Sequence, residues 1–202
     1  MASKIDIIAE NQPNVKIVLY DGKRYVLKRP RVGFFARFVS SILLKRSFSI
    51  LRRLQGIDGI PKCVSSPEGL LMEYIEGEFI HRLPAERLTD ELFDRIQRLI
   101  LRMHKRNVVH LDLRQRKNLL ITDDGLPFLI DFETSIRFPD QSLVKIILPF
   151  FVYADLSALV RIKHRYFPQL MTDDDKKFQR RFNIIRYLWF FRPFKIRQKD
   201  IL

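Results

Sequence analysis

Residues 108–132 read VVHLDLRQRKNLLITDDGLPFLIDF, and this stretch decides the fold. Asp112 follows a short apolar run, Asn118 comes directly before a second run, and Asp131 ends a third. The sequence DDG between the second and third runs is a turn signal, so a β-hairpin is predicted over residues 119–131. Such a hairpin brings Asn118 and Asp131 to the same open end, with Asp112 nearby.

These three side chains suit chemistry on a phosphate group. Carboxylate and amide oxygens are ligands for Mg²⁺, which keeps several waters and takes other ligands from phosphate oxygens. Asn118 and Asp131 are therefore candidate Mg²⁺ ligands. Asp112 is a candidate catalytic base that orients and deprotonates an acceptor hydroxyl. Phosphoryl transfer depends chiefly on such positioning and on charge neutralisation.

At these positions the chain resembles the protein kinases. The sequence HLD at residues 110–112 resembles the H-R-D catalytic loop, and DFE at residues 131–133 resembles D-F-G. The step of 13 residues from Asn118 to Asp131 equals the step that is usual in that family. The resemblance implies ATP and Mg²⁺ as cofactors.

Further residues match the kinase pattern in the expected order. Lys28 resembles the lysine that pairs with the ATP phosphates. Glu73, Tyr74 and Ile75 resemble the hinge whose backbone binds adenine. Asp155 resembles the helix-F aspartate that braces the catalytic loop.

Within the kinases, the chain is similar to the bacterial lipopolysaccharide (Kdo and heptose) kinases, which are sugar-phosphorylating relatives of the RIO-type kinases. These relatives have a short activation segment and lack a peptide-binding subdomain. Here Asp155 follows Asp131 by only 24 positions, and no A-P-E sequence occurs. The resemblance covers about residues 14–165.

The implied fold class is α+β, with a compact two-lobed kinase-like arrangement. We expect a single domain over residues 1–202, with a small β-rich N-lobe over about residues 1–76. A mostly helical C-lobe is expected over about residues 77–202, and it ends in a basic aromatic segment over residues 176–202.

Local patterns predict the individual elements. An Asp-Gly pair inside residues 14–29 predicts a hairpin. Apolar spacing of three and four predicts helices over residues 34–55 and 89–106. The remaining predictions are strands at residues 5–8, 61–64, 70–74, 108–109, 119–122 and 128–131, and helix from about residue 141 with breaks at Pro149, Pro168 and Pro193.

The chain departs from the kinase pattern in its small lobe and its loops. Five residues lie between Asp112 and Asn118 where kinases have four, which predicts one residue looped out. The phosphate-covering glycine-rich loop is replaced by AENQPN before the second strand. Glu133 stands at the glycine position of D-F-G, where we expect it to restrict backbone freedom.

The helix that usually offers a glutamate to the phosphate-binding lysine carries none here. No acidic residue occurs between Val32 and Ile57, and Ser47 stands near the expected position. An inactive, kinase-like scaffold is therefore an alternative to an enzyme.

Two further polar groups have a structural and a functional interpretation. Arg114 stands where many kinases place a lysine that contacts the transferred phosphate, so it is a candidate catalytic residue; the alternative is a solvated charge in a basic loop. His110 is interpreted as structural, packing and hydrogen-bonding under the catalytic loop.

The composition favours an anionic partner. Lys and Arg outnumber Asp and Glu by 37 to 23, which gives a net charge of +14. Cys63 is the only cysteine, so an intrachain disulfide is excluded. The charged N-terminus does not resemble a signal peptide, and no apolar run approaches the roughly 20 residues of a membrane span. We expect a cytoplasmic protein, peripheral at most to the inner face of the cytoplasmic membrane.

Two stretches, residues 34–53 and 176–199, interleave aromatic and basic side chains without an acid. This pattern suits an anionic membrane interface. Packing of a C-terminal aromatic face on the large lobe is an alternative for the second stretch. Nucleic acid is the least favoured partner.

Together these features predict a monomeric phosphotransferase that moves the γ-phosphate of ATP to a hydroxyl. The acceptor implied first by the resemblance is a sugar of a lipopolysaccharide core or lipid-linked glycolipid. A protein serine or threonine is the second, and a pseudokinase scaffold at the membrane surface is the third interpretation.

Overall fold

The N-terminal part of the chain forms an antiparallel sheet with one helix. The structure, a computed structural model, describes residues 6–140 and 146–188. Its five strands lie in the order β1-β2-β3-β5-β4. They are β1 (Asp6–Gln12), β2 (Val15–Tyr20), β3 (Lys23–Lys28), β4 (Cys63–Ser66) and β5 (Gly69–Glu73).

The predicted hairpin around Asp21-Gly22 is confirmed. Tyr20 pairs with Lys23 across the turn, and the two turn residues have φ values of 50° and 71°. Two successive positive φ values are what a two-residue hairpin turn of this twist requires, and Asp-Gly tolerates them. Lys28 consequently ends β3 in a fixed register, paired with Leu70 of β5.

The first strand is longer than predicted. It runs from Asp6 to Gln12, with two register shifts against β2, and a two-residue connection at Pro13-Asn14 follows it. The polar sequence AENQ, residues 9–12, therefore lies entirely within the strand, because its pairing with β2 overrides its weak strand propensity. A short hairpin turn occupies the place of a glycine-rich loop.

The helix α1 (Phe34–Leu54) crosses β4 and β5 with the C-terminal half of its length. Its buried residues are Leu44, Ser47, Ile50, Leu51 and Leu54. The N-terminal half, by contrast, contains no buried residue.

The C-terminal part of the described chain is mainly helical, as the sequence predicted. The helices are α2 (Asp90–Lys105), α3 (Leu148–Tyr166) and α4 (Asp173–Leu188). The short strands are β6 (Glu78–Phe79), β7 (Val108–Val109), β8 (Leu119–Ile121), β9 (Pro127–Leu129) and β10 (Ile136–Arg137).

α2 begins at a capped residue and buries one face. The Thr89 hydroxyl accepts a hydrogen bond from the Leu92 amide, which satisfies one of the free donors of the first turn. The buried face carries Leu92, Phe93, Ile96, Leu99, Ile100 and Met103, at the spacing expected for an amphipathic helix. This face belongs to the central core that reaches from α1 to α3.

The β8–β9 hairpin is confirmed, and β6 pairs along its other edge. Leu119 pairs with Leu129, so Asn118 and Ile130 face each other just beyond the ladder, where the Ile130 amide donates to the Asn118 carbonyl. Gly77, just before β6, approaches the same hairpin so closely that a Cβ would lie 2.4 Å from the Ile121 carbonyl oxygen.

The prolines act as expected at the end of α3 and differently at its start. Pro168 follows the helix and ends it, whereas Pro149 lies in its first turn. That turn has no need of its amide hydrogen, so Pro149 marks the start of α3 and does not break it. Pro193 lies outside the described residues. In the part of the chain that the structure describes, no helix has the length and apolarity to cross a bilayer.

Candidate active site

The Lys28 ammonium lies between two carboxylates of the segment that follows β9. Its Nζ is 2.7 Å from Asp131 Oδ1 and 3.0 Å from Glu133 Oε1. The lysine is the more buried partner, with 14% of its side chain exposed, against 42% for Asp131 and 32% for Glu133. The end of β3 in the N-terminal sheet is thus joined to the DFE sequence that follows β9.

The two carboxylates also keep Lys28 charged. Burial by itself lowers the pKa of an ammonium group, but the charges and hydrogen bonds of Asp131 and Glu133 outweigh it and raise the pKa of Lys28. Lys28 is therefore a fixed positive charge at the mouth of the site, suited to phosphate oxygens.

The backbone of the HLD and the DFE sequences adopts a left-handed conformation at one residue each. Leu111 has a φ of 66° and Asp131 a φ of 65°, values that are uncommon for residues with a side chain. We expected backbone restriction at Glu133, but in this turn it is Asp131 that takes the positive φ. The glycine position can therefore hold a side chain.

Asn118 is held against Asp112 despite the additional residue between them. Its amide nitrogen donates to the Asp112 carboxylate and to the Asp112 carbonyl, both at 2.9 Å. A 3-10 turn over Arg116–Asn118 takes up the longer loop, with the Gln115 amide donating to Asp112 and the Asn118 amide to Gln115.

The side chains present fit a magnesium ion. Because the Asn118 nitrogen bonds Asp112, its Oδ1 is left as the ligand atom, and Asp131 keeps Oδ2 when Oδ1 bonds Lys28. These hard oxygen donors are what Mg²⁺ selects. The described residues contain no group of three or more His, Cys, Asp or Glu that could hold a metal, so remaining ligands for such an ion would be water and phosphate.

Asp112 is suited to accept a proton. Burial, with a smaller contribution from the Asp131 charge, raises the pKa of Asp112 against the opposing hydrogen bonds from Asn118 and Gln115. A raised pKa strengthens a carboxylate as a general base.

Asp155 of α3 anchors the loop that contains the HLD sequence, as the resemblance implied. Its Oδ2 accepts from the His110 amide at 2.7 Å and its Oδ1 from the Leu111 amide at 2.8 Å. The ring nitrogen Nε2 of His104 lies 2.9 Å from Oδ2 and donates to it, since a carboxylate only accepts. Asp155 therefore fixes the two residues directly before Asp112.

His110 is structural, as predicted. It is fully buried, its Nε2 lies 3.1 Å from the Ile130 carbonyl, and its ring packs on Phe132 at 4.8 Å. The carbonyl can only accept, so Nε2 carries the proton. Burial lowers the pKa of His110, which keeps the imidazole neutral.

The predicted hinge lies where β5 leaves the sheet. The amides of Glu73 and Tyr74 donate to the carbonyls of Lys62 and Arg24. Two of the three hinge amides are thus used within the protein, and no group among the described residues accepts from the third, that of Ile75. The Arg24 guanidinium lies 5.0 Å from the centre of the Tyr74 ring and stiffens this connection.

Arg114 is directed toward the helices of the large lobe. Its guanidinium donates to the Ser157 hydroxyl of α3 at 3.2 Å and lies 5.0 Å from the centre of the Phe182 ring of α4. These contacts attach the catalytic loop to α3 and α4. The contact of Arg114 with a transferred phosphate remains a prediction.

The sequence pattern did not reveal two contributors to the site. Glu133 was expected as a backbone restriction, yet its carboxylate bonds Lys28. His104 was not predicted as a site residue, yet it donates to Asp155. The sequence did contain a signal for the Glu133 contact: α1 has no acidic residue, so Lys28 had no predicted partner. For the second, no signal in the sequence pairs residues 51 positions apart.

A family model for the RIO domain matches residues 20–147. This span includes Lys28, the hinge, the catalytic loop and the DFE sequence, and it covers more than half of the chain. The chain belongs to the RIO-domain family. A comparison with curated protein sequences found no match.

Solved structures give the same fold. The Rio2 kinase from Chaetomium thermophilum is similar with a TM-score of 0.59 and 18% identity, over 89% of this chain and 62% of the Rio2 chain. A complex of the same Rio2 kinase with ADP/Mg²⁺ and phosphoaspartate gives 0.59 and 17%, over 89% of this chain and 61% of that one. The predicted α+β, kinase-like fold is confirmed. The chain spans about three fifths of the length of the Rio2 chains.

Proposed function

We propose that the protein is a Mg²⁺- and ATP-dependent phosphotransferase that moves the γ-phosphate of ATP to a hydroxyl group. The observation that carries this proposal is the bond from Lys28 of β3 to Asp131, together with an Asp112–Asn118 pair held by two hydrogen bonds. Membership of the RIO-domain family supports it.

Each residue has a role in the transfer. The bond between the acceptor oxygen and Pγ forms, the bond from Pγ to the β–γ bridging oxygen breaks, and ADP leaves. Asp112 orients the acceptor hydroxyl and takes its proton. Lys28 neutralises charge on the phosphates, and the Ile75 amide donates to adenine. Asn118 and Asp131 would hold Mg²⁺, which would supply further charge neutralisation when bound.

Nucleotide binding tests the proposal. ATP at 100 times its Kd stabilises a folded protein by about 2.7 kcal/mol, which corresponds to a shift of roughly 5–10 °C in Tm for a chain of this size. We expect the shift only with Mg²⁺, and we expect Asp131→Ala to abolish it. Asp94→Ala, on the exposed side of α2, is the matched control. No shift and no ATP turnover in the wild type would establish the pseudokinase alternative.

The acceptor favoured by the comparisons is a protein serine or threonine, because they support a RIO-type kinase and give no support to the lipopolysaccharide kinases. The sugar of a lipid-linked or lipopolysaccharide-core molecule is the second candidate. Labelled ATP should be offered with a protein fraction, with a glycolipid fraction and alone. A hydroxylamine-sensitive label on the chain itself would instead indicate an aspartyl phosphate, the group named for the Rio2 complex.

The lipid-linked sugar is retained as the second candidate acceptor because the N-terminal half of α1 exposes large apolar side chains. Phe34 is 96% exposed, Phe35 79%, Phe38 63% and Ile42 51%. Phe34, Phe38 and Ile42 are spaced by four residues, so they form one apolar row along the helix. An apolar row of this size outside the core is typical of an interaction surface.

The charges around this row favour an anionic bilayer. Arg31, Arg37 and Lys45 are exposed beside it, and residues 30–57 contain no acid. Aromatic side chains enter the headgroup region, and flanking cations attract acidic lipids. Each Lys or Arg near the surface contributes about 1 kcal/mol to binding. We propose that this row rests on the anionic face of the cytoplasmic membrane.

The other basic aromatic stretch divides into two parts. Phe178 and Phe182 pack on Tyr153 of α3, with ring centroids 4.5 and 5.5 Å apart, which agrees with the packing alternative for these two residues. Residues 189–202 lie outside the described residues. Among the described residues of the two stretches, the exposed aromatic row therefore lies on α1.

Vesicle sedimentation tests the membrane contact. Phe34→Ser/Phe38→Ser should reduce binding to vesicles of 30% phosphatidylglycerol by about tenfold, and vesicles of pure phosphatidylcholine should bind weakly. Leu101→Ser removes an exposed apolar side chain of α2 and is the control. Truncation of residues 189–202 in parallel distinguishes the two stretches. Binding that only the truncation reduces would contradict a role for α1.

A further inference from the structure

Lys28 obtains its partners from one short segment. Asp131 and Glu133 are two residues apart, and both carboxylates contact the same ammonium at 2.7 and 3.0 Å. The left-handed backbone at Asp131 accompanies this arrangement. Glu133 therefore contacts a residue 105 positions away, at the centre of the proposed site.

α1 contacts the segment after Asp131 through basic side chains and carries no carboxylate. Its buried Ser47 uses its hydroxyl within the helix, donating to the Leu43 carbonyl at 2.9 Å. Toward the segment after Asp131 the helix presents arginines: Arg46 donates to the Ser135 carbonyl, and Arg53 pairs with Asp140 at 2.8 Å. The basic side chains thus lie on α1, and the groups that accept from them lie on the segment after Asp131. α1 therefore offers Lys28 no carboxylate.

We propose that Glu133 is the positioning residue that holds Lys28 for the ATP phosphates, in the place of a glutamate on the helix. This inference rests on the proposed function and adds a residue to it. Since the partner of Lys28 lies beside Asp131, the orientation of the lysine follows the conformation of residues 131–133.

The assignment that competes with this one is a Glu133 carboxylate that would ligate Mg²⁺ in the place of a water. The two roles differ in what they change. Loss of a Lys28 partner weakens ATP binding and makes the amine less basic, since an opposite charge within about 4–6 Å favours the charged form. Loss of a metal ligand raises the Mg²⁺ concentration that turnover requires and leaves the Lys28 amine unchanged.

The test compares Glu133→Gln with the wild type in three measurements. These are the Kd for ATP at saturating Mg²⁺, the Mg²⁺ concentration for half-maximal ATP turnover, and the pH profile of Lys28 acylation read by mass spectrometry. Glu133→Asp retains the charge, and Glu86→Gln changes an exposed glutamate elsewhere.

For Glu133→Gln we expect the Kd for ATP to rise about tenfold, because one charge-assisted hydrogen bond to Lys28 is lost. The Mg²⁺ requirement should be unchanged, and Lys28 acylation should extend to lower pH. Glu133→Asp should recover part of both effects, and Glu86→Gln should behave as wild type.

Two results overturn the inference. One is a Glu133→Gln variant that matches Glu86→Gln in both ATP affinity and Lys28 acylation. The other is a raised Mg²⁺ requirement with an unchanged acylation profile, which makes Glu133 a metal ligand. Failure of the proposed function is distinct: the wild type then binds no nucleotide, while acylation still reports on the Lys28–Glu133 pair.

Discussion

The side-chain amide of Asn118 bonds both the carboxylate and the carbonyl of Asp112 at 2.9 Å. It does so although five residues separate the two, one more than in the kinase loop. The 3-10 turn before Asn118 absorbs the difference, so the proposed base and the proposed metal ligand share one closed loop. A longer loop at this site is therefore compatible with transfer chemistry.

Asp112→Asn should abolish most of the transfer and retain ATP binding. The substitution keeps the shape and an acceptor for Asn118, and it removes the group that takes the proton. General-base contributions are typically 10²- to 10⁴-fold, so kcat should fall by about that factor with the Kd for ATP unchanged. Single-turnover transfer and ATP titration measure the two quantities separately.

Titration of the Asp112 carboxylate should determine the acidic limb of the pH–rate profile. Burial raises the pKa of Asp112, and only its ionised form accepts a proton. The rate should therefore rise with pH through a value above the usual aspartate pKa of about 3.9. An Asp112→Asn variant with wild-type kcat would show that Asp112 is not the base.

Asp155→Asn should weaken both the fold and the catalytic loop. The buried carboxylate accepts from the backbone amides of His110 and Leu111 and from His104. An amide in its place turns an NH₂ group toward one of these donors, at a cost of about 2–3 kcal/mol. We expect a lower urea midpoint than for the wild type, with reduced turnover in the fraction that remains folded.

The control for this substitution is Asp94→Asn on the exposed side of α2. It removes the same charge without a buried donor network, so its free energy of unfolding should stay within about 0.5 kcal/mol of the wild-type value and its urea midpoint should change little. Equal midpoints for the two variants would contradict the bracing role of Asp155.

The fold and the proposed catalytic positions could be predicted because they depend on order and spacing along the chain. Asp112, Asn118 and Asp131 lie beside strands whose turns are local signals, and the β2–β3 hairpin is specified by Asp-Gly. The continuation of β1 to Gln12 was missed, because pairing with β2 decides it and the residues of AENQ do not. The Lys28–Glu133 contact was missed for a related reason: it joins distant segments, and no local pattern encodes it.

Gly77→Ala should destabilise the protein at the connection between the hinge and β6. An added Cβ would lie 2.4 Å from the Ile121 carbonyl oxygen, a backbone atom of β8 that cannot move independently of its strand. Overpacking of this kind costs about 1–3 kcal/mol. Gly56→Ala is a useful comparison, because nothing lies within 4 Å of a Cβ at that position. However, Gly56 has a φ of 84°, so its own substitution carries backbone strain.

Thermal and urea melts of both variants separate the two causes. Steric conflict at Gly77 should also weaken the β6–β8 pairing, seen as faster hydrogen exchange at the Phe79 and Ile121 amides. Strain at Gly56 should leave that exchange unchanged. Unaltered exchange in Gly77→Ala would indicate that β6 shifts to accommodate the methyl group.

Stability should fall as the pH drops below about 6.5, and His110 should account for part of the loss. Burial lowers the pKa of this imidazole in the folded protein, whereas in the unfolded chain it titrates near 6.5. Between the two values the unfolded state binds more protons, so the free energy of unfolding decreases with falling pH, by at most about 1.4 kcal/mol per unit for one proton. Above pH 6.5 the contribution is fully present.

His110→Gln isolates this contribution. The glutamine amide can still donate toward the Ile130 carbonyl, and it does not titrate. Urea midpoints between pH 5 and 8 should then vary less steeply than in the wild type, although the variant is less stable at pH 8 because the contact with Phe132 changes. His164→Gln, at an exposed position of α3, should keep the wild-type slope. If His110→Gln kept that slope as well, the neutral buried imidazole would not be the group that links folding to protons in this range.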